Sequence, residues 1–591
     1  MKYEIVMGLE VHVELAAESK LFCSCSAKFG AEPNQNVCPA CAGMPGMTPK
    51  PNKKAIKLGI AAGLVTNCQI SPVITFDKKN YFYPDLPTGY QITQFYEPIC
   101  RNGYVDIGVS AGAEAGAKVG VGAGGGAAVG AKAGVGAGVR AEAVANAGAT
   151  AGAEAVANAG ANAGVGANVG VGAATLGDAD INAGENIKRI RIKQIHIEED
   201  AGKLVHERGV SLIDCNRAGV PLVEIVSEPD FRTAEEVITY LEKLRLLLTF
   251  ANVSDCRLQE GSMRCDVNLS VREKGAAQYG VRTEIKNMNS LKAITRAIEY
   301  ESQRHIDALD AGSGVLVQET RRWDDNVGET FSMRSKEDAT DYRYFPNPEI
   351  LPIRISEKWI KEVRDALPET SHDKYIRMTT KLGISKADSK IIAESKRLAD
   401  IFDSVMSYGN ANITAHSEAI VTENDDNRAP SHDDNSAAEN DNNSKMAYNL
   451  NAKDVASWIV TELLSMSTEE NKSYDDIYID CEKFAALISM VGNKIINRNV
   501  AKKILVLVYL QNIDPIAYVK ENNLGIVSDS SLLEGVIMSV LKENEKSVKQ
   551  FLDGNEKVEG FLMGKAMSKT AGKADPSVLK EVLRCALNGR R

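Results

Sequence analysis

Apolar and polar side chains alternate from Met7 to Leu15, the period of a strand with one buried and one wet face. Glu10, His12 and Glu14 therefore share a face. The same period runs over most of residues 187–197 and through Tyr104–Ile107, and residues 220–226 read as an apolar strand after a Gly-Pro loop. Helical spacing of apolar residues marks 53–66, 233–250 and 291–312. From about Ser356 to Tyr408 charged helical patterns dominate, and they resume from about Ala447 onwards. The pattern predicts an α+β domain with an antiparallel sheet over residues 1–355, a helical linker domain over 356–445 and a helical tail over 446–591.

Two stretches break the pattern. Residues 109–185 are dominated by Gly, Ala, Val and Asn, and the run Ala141–Ala149 recurs at Ala153–Ala161. Side chains this small bury too little apolar surface to offset chain entropy. A disordered, low-complexity excursion from the tip of a β-hairpin is expected. A β-solenoid is the other option, although no Gly-x-Gly-x-Asp calcium pattern supports it. Deleting residues 112–180 is expected to leave activity within severalfold. Residues 410–445, rich in Asn, Asp and Ser, are also expected to be disordered.

At 591 residues, 44% hydrophobic and 25% charged, the chain has the composition of a globular protein of roughly two to four domains. The net charge of −10 argues against a general nucleic-acid coat but leaves room for a local basic patch. No run approaches the roughly 20 apolar residues of a membrane span. The chain enters a strand with no basic and apolar leader ahead of it. A cytoplasmic protein without a membrane partner is expected. The 11 cysteines fit a reducing compartment better than a disulfide framework.

Candidate chemistry lies on the polar sides of the strands. The acid–imidazole–acid row of Glu10, His12 and Glu14 suits Mg²⁺ or another divalent ion, and equally a solvated strand face. Cys23 and Cys25 form a C-x-C pair, and Cys38 and Cys41 a C-x-x-C pair twelve residues on. Two such pairs can close a tetrahedral sulfur shell around a structural Zn²⁺, with an iron–sulfur cluster as the alternative. The stretch 76–91 mixes Lys, Pro, Gly and aromatics, a composition that suits stacking on a base and contact with phosphate and equally a packed, Pro-punctuated loop. Glu198, Glu199 and Asp200 end a strand in three consecutive acids before a Gly, a motif that suits a metal site and equally a solvated turn. Glu224 sits among apolar neighbours and needs a partner, a role a metal can fill. Asp266 and Glu284 lie close in sequence to Arg264, Arg282 and Lys286. Acids that hold a metal beside cations that neutralise phosphate are what ATP·Mg²⁺ chemistry needs. The sequence has no P-loop and no Gly-x-Gly-x-x-Gly over a strand-to-helix turn, so an ATP enzyme of this sequence is expected to use a sheet-borne site. Arg321, Arg322 and Arg343 read equally well as phosphate contacts and as partners of nearby acids.

In order along the chain, GLEVHVEL (8–15), FDKKNYFYPDLPTGYQITQF (76–95), IHIEEDAGK (195–203), NRAGVPLVEIVSEPD (216–230), EGSMRCDVN (260–268) and EIKNMNS (284–290) resemble the B-subunit (GatB) family of aspartyl/glutamyl-tRNA amidotransferases. The resemblance implies a glutamine-synthetase-like cradle for 1–355 and a YqeY-like helical tail that grips tRNA. It implies a glutamine-hydrolysing carbon–nitrogen ligase. ATP would phosphorylate the side-chain carboxylate of Glu-tRNA(Gln) or Asp-tRNA(Asn), and ammonia would displace the phosphate. No Ser–Ser–Lys amidase signature and no Cys in a nucleophile elbow is present. Ammonia is therefore expected from a partner, in the family the amidase (A) subunit, with a small C subunit clasping both.

By resemblance, Glu10, His12, Glu199, Glu224, Asp266 and Glu284 form the metal and phosphoryl-transfer region, with Mg²⁺ on Glu10, His12 and Glu199. Which of them meet a permanent metal and which meet ATP·Mg²⁺ stays open. Arg264, Arg282 and Lys286 are implied as phosphate contacts, and Lys79, Asn80 and Tyr81 as substrate contacts. Zinc at the four cysteines is also implied, since some members carry it and others have lost the ligands. Lys565, Lys569 and Lys573 recur every four residues. On one helix they would share a face toward tRNA phosphates, although Gly572 can break that helix. The competing reading is a non-catalytic tRNA-binding scaffold whose partner does all the chemistry.

Overall fold

The computed structural model describes residues 2–109, 186–207, 209–312, 316–335, 342–421, 450–470, 472–526, 530–555, 557–570 and 572–589. The chain divides into two compact units, Met1–Thr370 and Ser371–Arg591.

The strands of the first unit are β1 (Tyr3–Glu14), β2 (Gln69–Ile70), β3 (Val73–Ile74), β4 (Asp77–Asn80), β5 (Tyr90–Thr93), β6 (Cys100–Val109), β7 (Asn186–Glu199), β8 (Lys203–Glu207), β9 (Val210–Asp214), β10 (Pro221–Ser227), β11 (Met263–Glu273), β12 (Thr283–Lys286), β13 (Glu319–Asp324), β14 (Glu329–Ser335), β15 (Phe345–Pro346) and β16 (Ile353–Arg354). Nine of them form one sheet in the order β14-β13-β12-β11-β1-β10-β7-β6-β2. The expectation of an antiparallel sheet needs one correction: β12 and β13 run parallel. A parallel neighbour requires a crossover, and the helix α3 (Leu291–Ala311) supplies it. Helices α1 (Lys53–Val65), α2 (Ala234–Phe250) and α3 pack on the sheet. Sequence fixes where they start. Asn52 caps α1, Thr233 and Glu236 form a reciprocal capping box on α2, and Ser290 caps α3.

β1 lies inside the sheet, between β10 and β11. Leu9, Val11 and Val13 are fully buried, and Glu10, His12 and Glu14 face the other way. Each such aliphatic side chain contributes about 2 kcal/mol on burial. A one-residue slip would exchange the faces and lose all of it. The register that aligns the polar row is thus held by the apolar one.

β6 and β7 pair antiparallel down to Val109 and Asn186. The excursion expected between them lies outside the described residues, as do residues 422–449. The expected disorder from residue 410 is corrected at its start, because the helix Lys396–Val421 continues through it. Ala, Ile and Glu between residues 411 and 421 are compatible with that extension. The second unit is helical. Its last helices, Ser530–Glu543, Val558–Lys569 and Pro576–Asn588, enclose a separate core that includes Leu533, Ile537, Leu562 and Leu583. The helix Glu357–Asp365 belongs to the first unit, with Ile360 and Val363 in that unit's core. No helix among the described residues is long and apolar enough to cross a membrane.

Candidate active site

One face of the nine-stranded sheet carries a field of ionisable groups. Strand alternation sets Glu284 and Lys286 of β12, Asp266 of β11, Glu10 and His12 of β1, Glu224 of β10, and His196 and Glu198 of β7 on it. The register brings them together. Glu10 lies opposite Asp266, His12 opposite Glu224, and Glu224 opposite His196. Above this face is a cavity of about 460 Å³, which Lys79, Phe95, Arg282, Tyr342 and Tyr344 help to line.

Two ligand clusters stand side by side there, each with its three ligand atoms within 4.8 Å of one another. In the first, His12 Nε2 is 3.5 Å from Glu224 Oε2 and 3.7 Å from Glu198 Oε1. Burial opposes charge on His12, but the hydrogen bond to Glu224 and the Glu224 and Glu198 charges outweigh it and lift His12 to about 9. Burial also works against Glu224 as an anion, yet the His12 bond and charge hold it near 2. Glu198 moves the other way, to about 7, through burial and the charge of Glu224. His12 thus stands between Glu224 and Glu198.

The second cluster is Glu10, Asp266 and Glu284. Lys286 bridges Asp266 and Glu284, with its ammonium 2.8 Å from Glu284 Oε1. Thr320 donates to Glu284 Oε2 at 2.8 Å, and Asn268 donates to Glu10 Oε1 at 3.1 Å. Burial and the Glu224 and Glu284 charges raise Glu10. Both donor sets fit a hard divalent cation, because each converges oxygen ligands whose charge a proton or an ammonium now balances. A cation entering the first cluster would take the place of the His12 proton.

The four cysteines form a separate centre. Cys41 Sγ lies 3.9 Å from Cys38 Sγ and 4.0 Å from Cys25 Sγ, and all four sulfurs fall within 4.8 Å of one another. A tetrahedron with Zn–S bonds of 2.3 Å has edges of about 3.8 Å, so the shell fits Zn²⁺. None of the four is in a disulfide. The Cys23 thiol bonded to Cys41 draws Cys41 down to about 4 against its burial, helped by the Cys38 N–H and by Lys20.

Residues 5–361 match the family model described as the GatB/GatE catalytic domain, and residues 443–587 match the one described as the GatB domain. The chain belongs to the GatB family. It is 41% identical to a Lachnoclostridium phytofermentans protein named as the B subunit of aspartyl/glutamyl-tRNA(Asn/Gln) amidotransferase, over 98% of both chains. It is 38% identical to a protein of the same name from Caldicellulosiruptor bescii, over 99% of both.

In this GatB-family chain the structure gathers Glu10, His12, Glu224, Asp266 and Glu284 on one face, and Lys79, Arg282 and Lys286 line its cavity. Glu199 is not among them. The strand alternates, so its carboxylate turns to the opposite side and accepts the Ile92 N–H at 2.9 Å. Glu198 stands in the His12 and Glu224 cluster instead. Arg264 is bound to Asp200 at 2.9 Å. Asn80 donates to the Arg343 carbonyl at 2.9 Å and ties the end of β4 to the segment ahead of β15. Tyr81 packs edge-on against Tyr342 at 5.6 Å, and the Lys79 ammonium stands 5.0 Å from the Tyr342 ring centre.

Three features of the site were not singled out from sequence. Sequence marks Glu198 only within the three-acid motif, and counting in twos from His196 selects it over Glu199. The Nε2 of His196 is buried without a hydrogen-bond partner. Phe95 and Tyr344 stack with centroids 4.1 Å apart at 12°, a pairing that nothing local announces. The expected three-lysine face of the GatB tail is corrected. Its helix ends at Lys569, and Gly572, at φ +76°, turns the chain. Lys573 leaves the helix and donates to the Asn523 carbonyl at 2.9 Å, while Lys569 pairs with Glu543.

Proposed function

We propose that this chain activates and amidates the side-chain carboxylate of Glu-tRNA(Gln), Asp-tRNA(Asn) or both, as the ATP- and Mg²⁺-dependent component of a glutamine-hydrolysing ligase. The observation that carries the reading is the pair of three-ligand clusters on one sheet face, with Lys79, Arg282 and Lys286 around them. Glu10, Asp266 and Glu284 would hold the ion that accompanies ATP, and His12, Glu198 and Glu224 a second one. An ion such as Mg²⁺ held by these residues would supply the positive charge that phosphoryl transfer needs. Lys286 and Arg282 face the phosphates. Phe95 and Tyr344 offer a flat surface to a nucleobase beside Lys79.

The substrate carboxylate attacks the γ-phosphorus and ADP departs. Ammonia then attacks the acyl carbon and loses a proton as phosphate leaves, which completes the amide. Zn²⁺ at the four cysteines is structural on this reading, since the protein fills every position. We read the first unit as a glutamine-synthetase-like cradle, followed by a helical linker and a YqeY-like tail that meets tRNA at Lys565 and its surroundings. The amidase (A) subunit supplies ammonia, the small C subunit completes the complex, and the assembly works in the cytoplasm.

The test is to incubate the complex with its A and C subunits, Glu-tRNA(Gln) and γ-labelled ATP in the absence of any ammonia donor. Labelled acyl phosphate on the aminoacyl-tRNA is expected, and Glu10→Gln should remove it. Amidation that proceeds on glutamine with no labelled intermediate would move the chemistry to a partner and leave this chain a tRNA platform.

A further inference from the structure

Lys20 is a cation with no exposed surface. Its ammonium lies 3.6 Å from Cys41 Sγ and 3.0 Å from the Cys215 carbonyl oxygen. Glu199 approaches from another side. Gly219, at φ +85°, is the point where they meet. A Cβ placed on it would stand 3.5 Å from Lys20 Cδ, 3.8 Å from Glu199 Oε2 and 3.9 Å from Cys41 Cβ. Lys20, Cys23, Cys41, Glu199 and Asp200 line one cavity of about 220 Å³. The neighbouring arginines are committed elsewhere: Arg264 and Arg217 lie 2.9 and 3.5 Å from Asp200. Zn²⁺ on four thiolates is a dianion, and Glu199 adds a further carboxylate beside it. Charge of one sign buried without compensation is strongly unfavourable, and Lys20 brings a buried ammonium onto a ligand sulfur, with Glu199 in the same cavity.

We propose that Lys20 is the counter-ion of the tetracysteine centre and shares its charge with Glu199, so that the centre is tied to the end of β7 next to Glu198. This rests on the zinc reading above. Lys20 is a positioning residue: it reaches no substrate. It donates to a ligand sulfur, and its aliphatic stem passes Gly219 beside the Glu199 carboxylate, whose Oε1 receives the Ile92 N–H of β5. A metal centre and a catalytic strand far apart in sequence are thereby joined through one side chain.

The experiment measures zinc affinity of the full-length chain by competition with a chromogenic chelator, for the parent, K20M and K20R. Loss of an outer-sphere partner weakens metal binding by about 10–100-fold, and K20M is expected to fall in that range while K20R keeps most of the affinity. Cobalt substitution adds a signature that loosened packing alone would not give. An N–H···S bond lowers the energy of the sulfur lone pair, so its loss in K20M should shift the thiolate-to-cobalt absorption to longer wavelength. If K20M fails to fold, Lys20→Gln, which keeps a donor for Cys215 but no charge, takes its place. Zinc held by the uncharged variant as tightly as by the parent, with an unshifted cobalt spectrum, would overturn the proposal. A parent chain that takes up no zinc would overturn the zinc reading itself, which the same titration distinguishes.

Discussion

Glu198 and Glu199 are neighbours in sequence and face opposite sides of a strand. Only the phase of alternation separates them, and three consecutive acids hide that phase. Glu10 and His12 were legible because Val11 and Val13 mark it; at the end of β7 the apolar markers stop at Ile197. Glu198→Gln should slow acyl-phosphate formation by about 10²–10³-fold, the scale on which one pre-placed polar group acts on a developing charge. Glu199→Gln should slow it far less, and single-turnover labelling compares the two. His196→Phe tests the unpartnered ring nitrogen. It removes no hydrogen bond within the protein, so the melting temperature should stay near the parent's. The KM for ATP or for aminoacyl-tRNA, each measured separately, should rise by about tenfold if that nitrogen meets substrate, the worth of one hydrogen bond of roughly 1.4 kcal/mol.

At the scale of elements, α3 grips two strands through the Glu301 carboxylate and a third through His305. Glu301 and His305 have no exposed surface. Glu301 accepts from Arg304 at 2.6 Å and from Thr330 of β14 at 2.8 Å, and Arg321 of β13 lies 3.6 Å away. His305 bonds Thr283 of β12 at 2.8 Å. Arg321, which sequence left between phosphate contact and ion pair, is thus committed to the sheet. Its partner lies twenty residues earlier on a helix, beyond the reach of local pattern. The network stands behind Glu284 and braces the parallel β12–β13 pair.

Burial would raise Glu301, but its bonds to His305 and Arg304 hold it near 2, below an ordinary 4.5. A depressed carboxyl contributes stability that is fully present above pH 4.5 and is lost as pH falls toward 2. The shift corresponds to about 3 kcal/mol. Glu301→Gln should therefore lower stability at pH 7 by about that amount and flatten the decline between pH 4.5 and 2, as read by denaturant unfolding across that range. The β6–β7 hairpin invites a simpler test. Replacing residues 110–185 by Asn-Gly, a pair that favours a two-residue hairpin turn, should leave activity within severalfold.

At the scale of the whole molecule, the mixed helix-and-sheet character and the change to helix were legible, because period two gives way to helical spacing near Ser356. The border between units was not. Glu357–Asp365 looks like the start of the helical region, yet its apolar side completes the first core, and the unit runs to Thr370. A fragment of residues 1–370 should accordingly fold alone. Trp323, 1% exposed in that core, should keep a short-wavelength emission and lose it in one cooperative transition. Red-shifted emission from the fragment at room temperature would show that the core needs the second unit.

Val109 and Asn186 face each other across a ladder, so the chain departs from the sheet and re-enters it through a gap of about 5 Å. The cavity is remote from that gap: Glu198 lies twelve residues further along β7, roughly 35–40 Å at strand rise. The fold thus has a socket. A fluorescent domain or an affinity handle with close-set termini can be spliced there, making the assembly visible or retrievable while the chemistry at the other end of the strand goes on undisturbed.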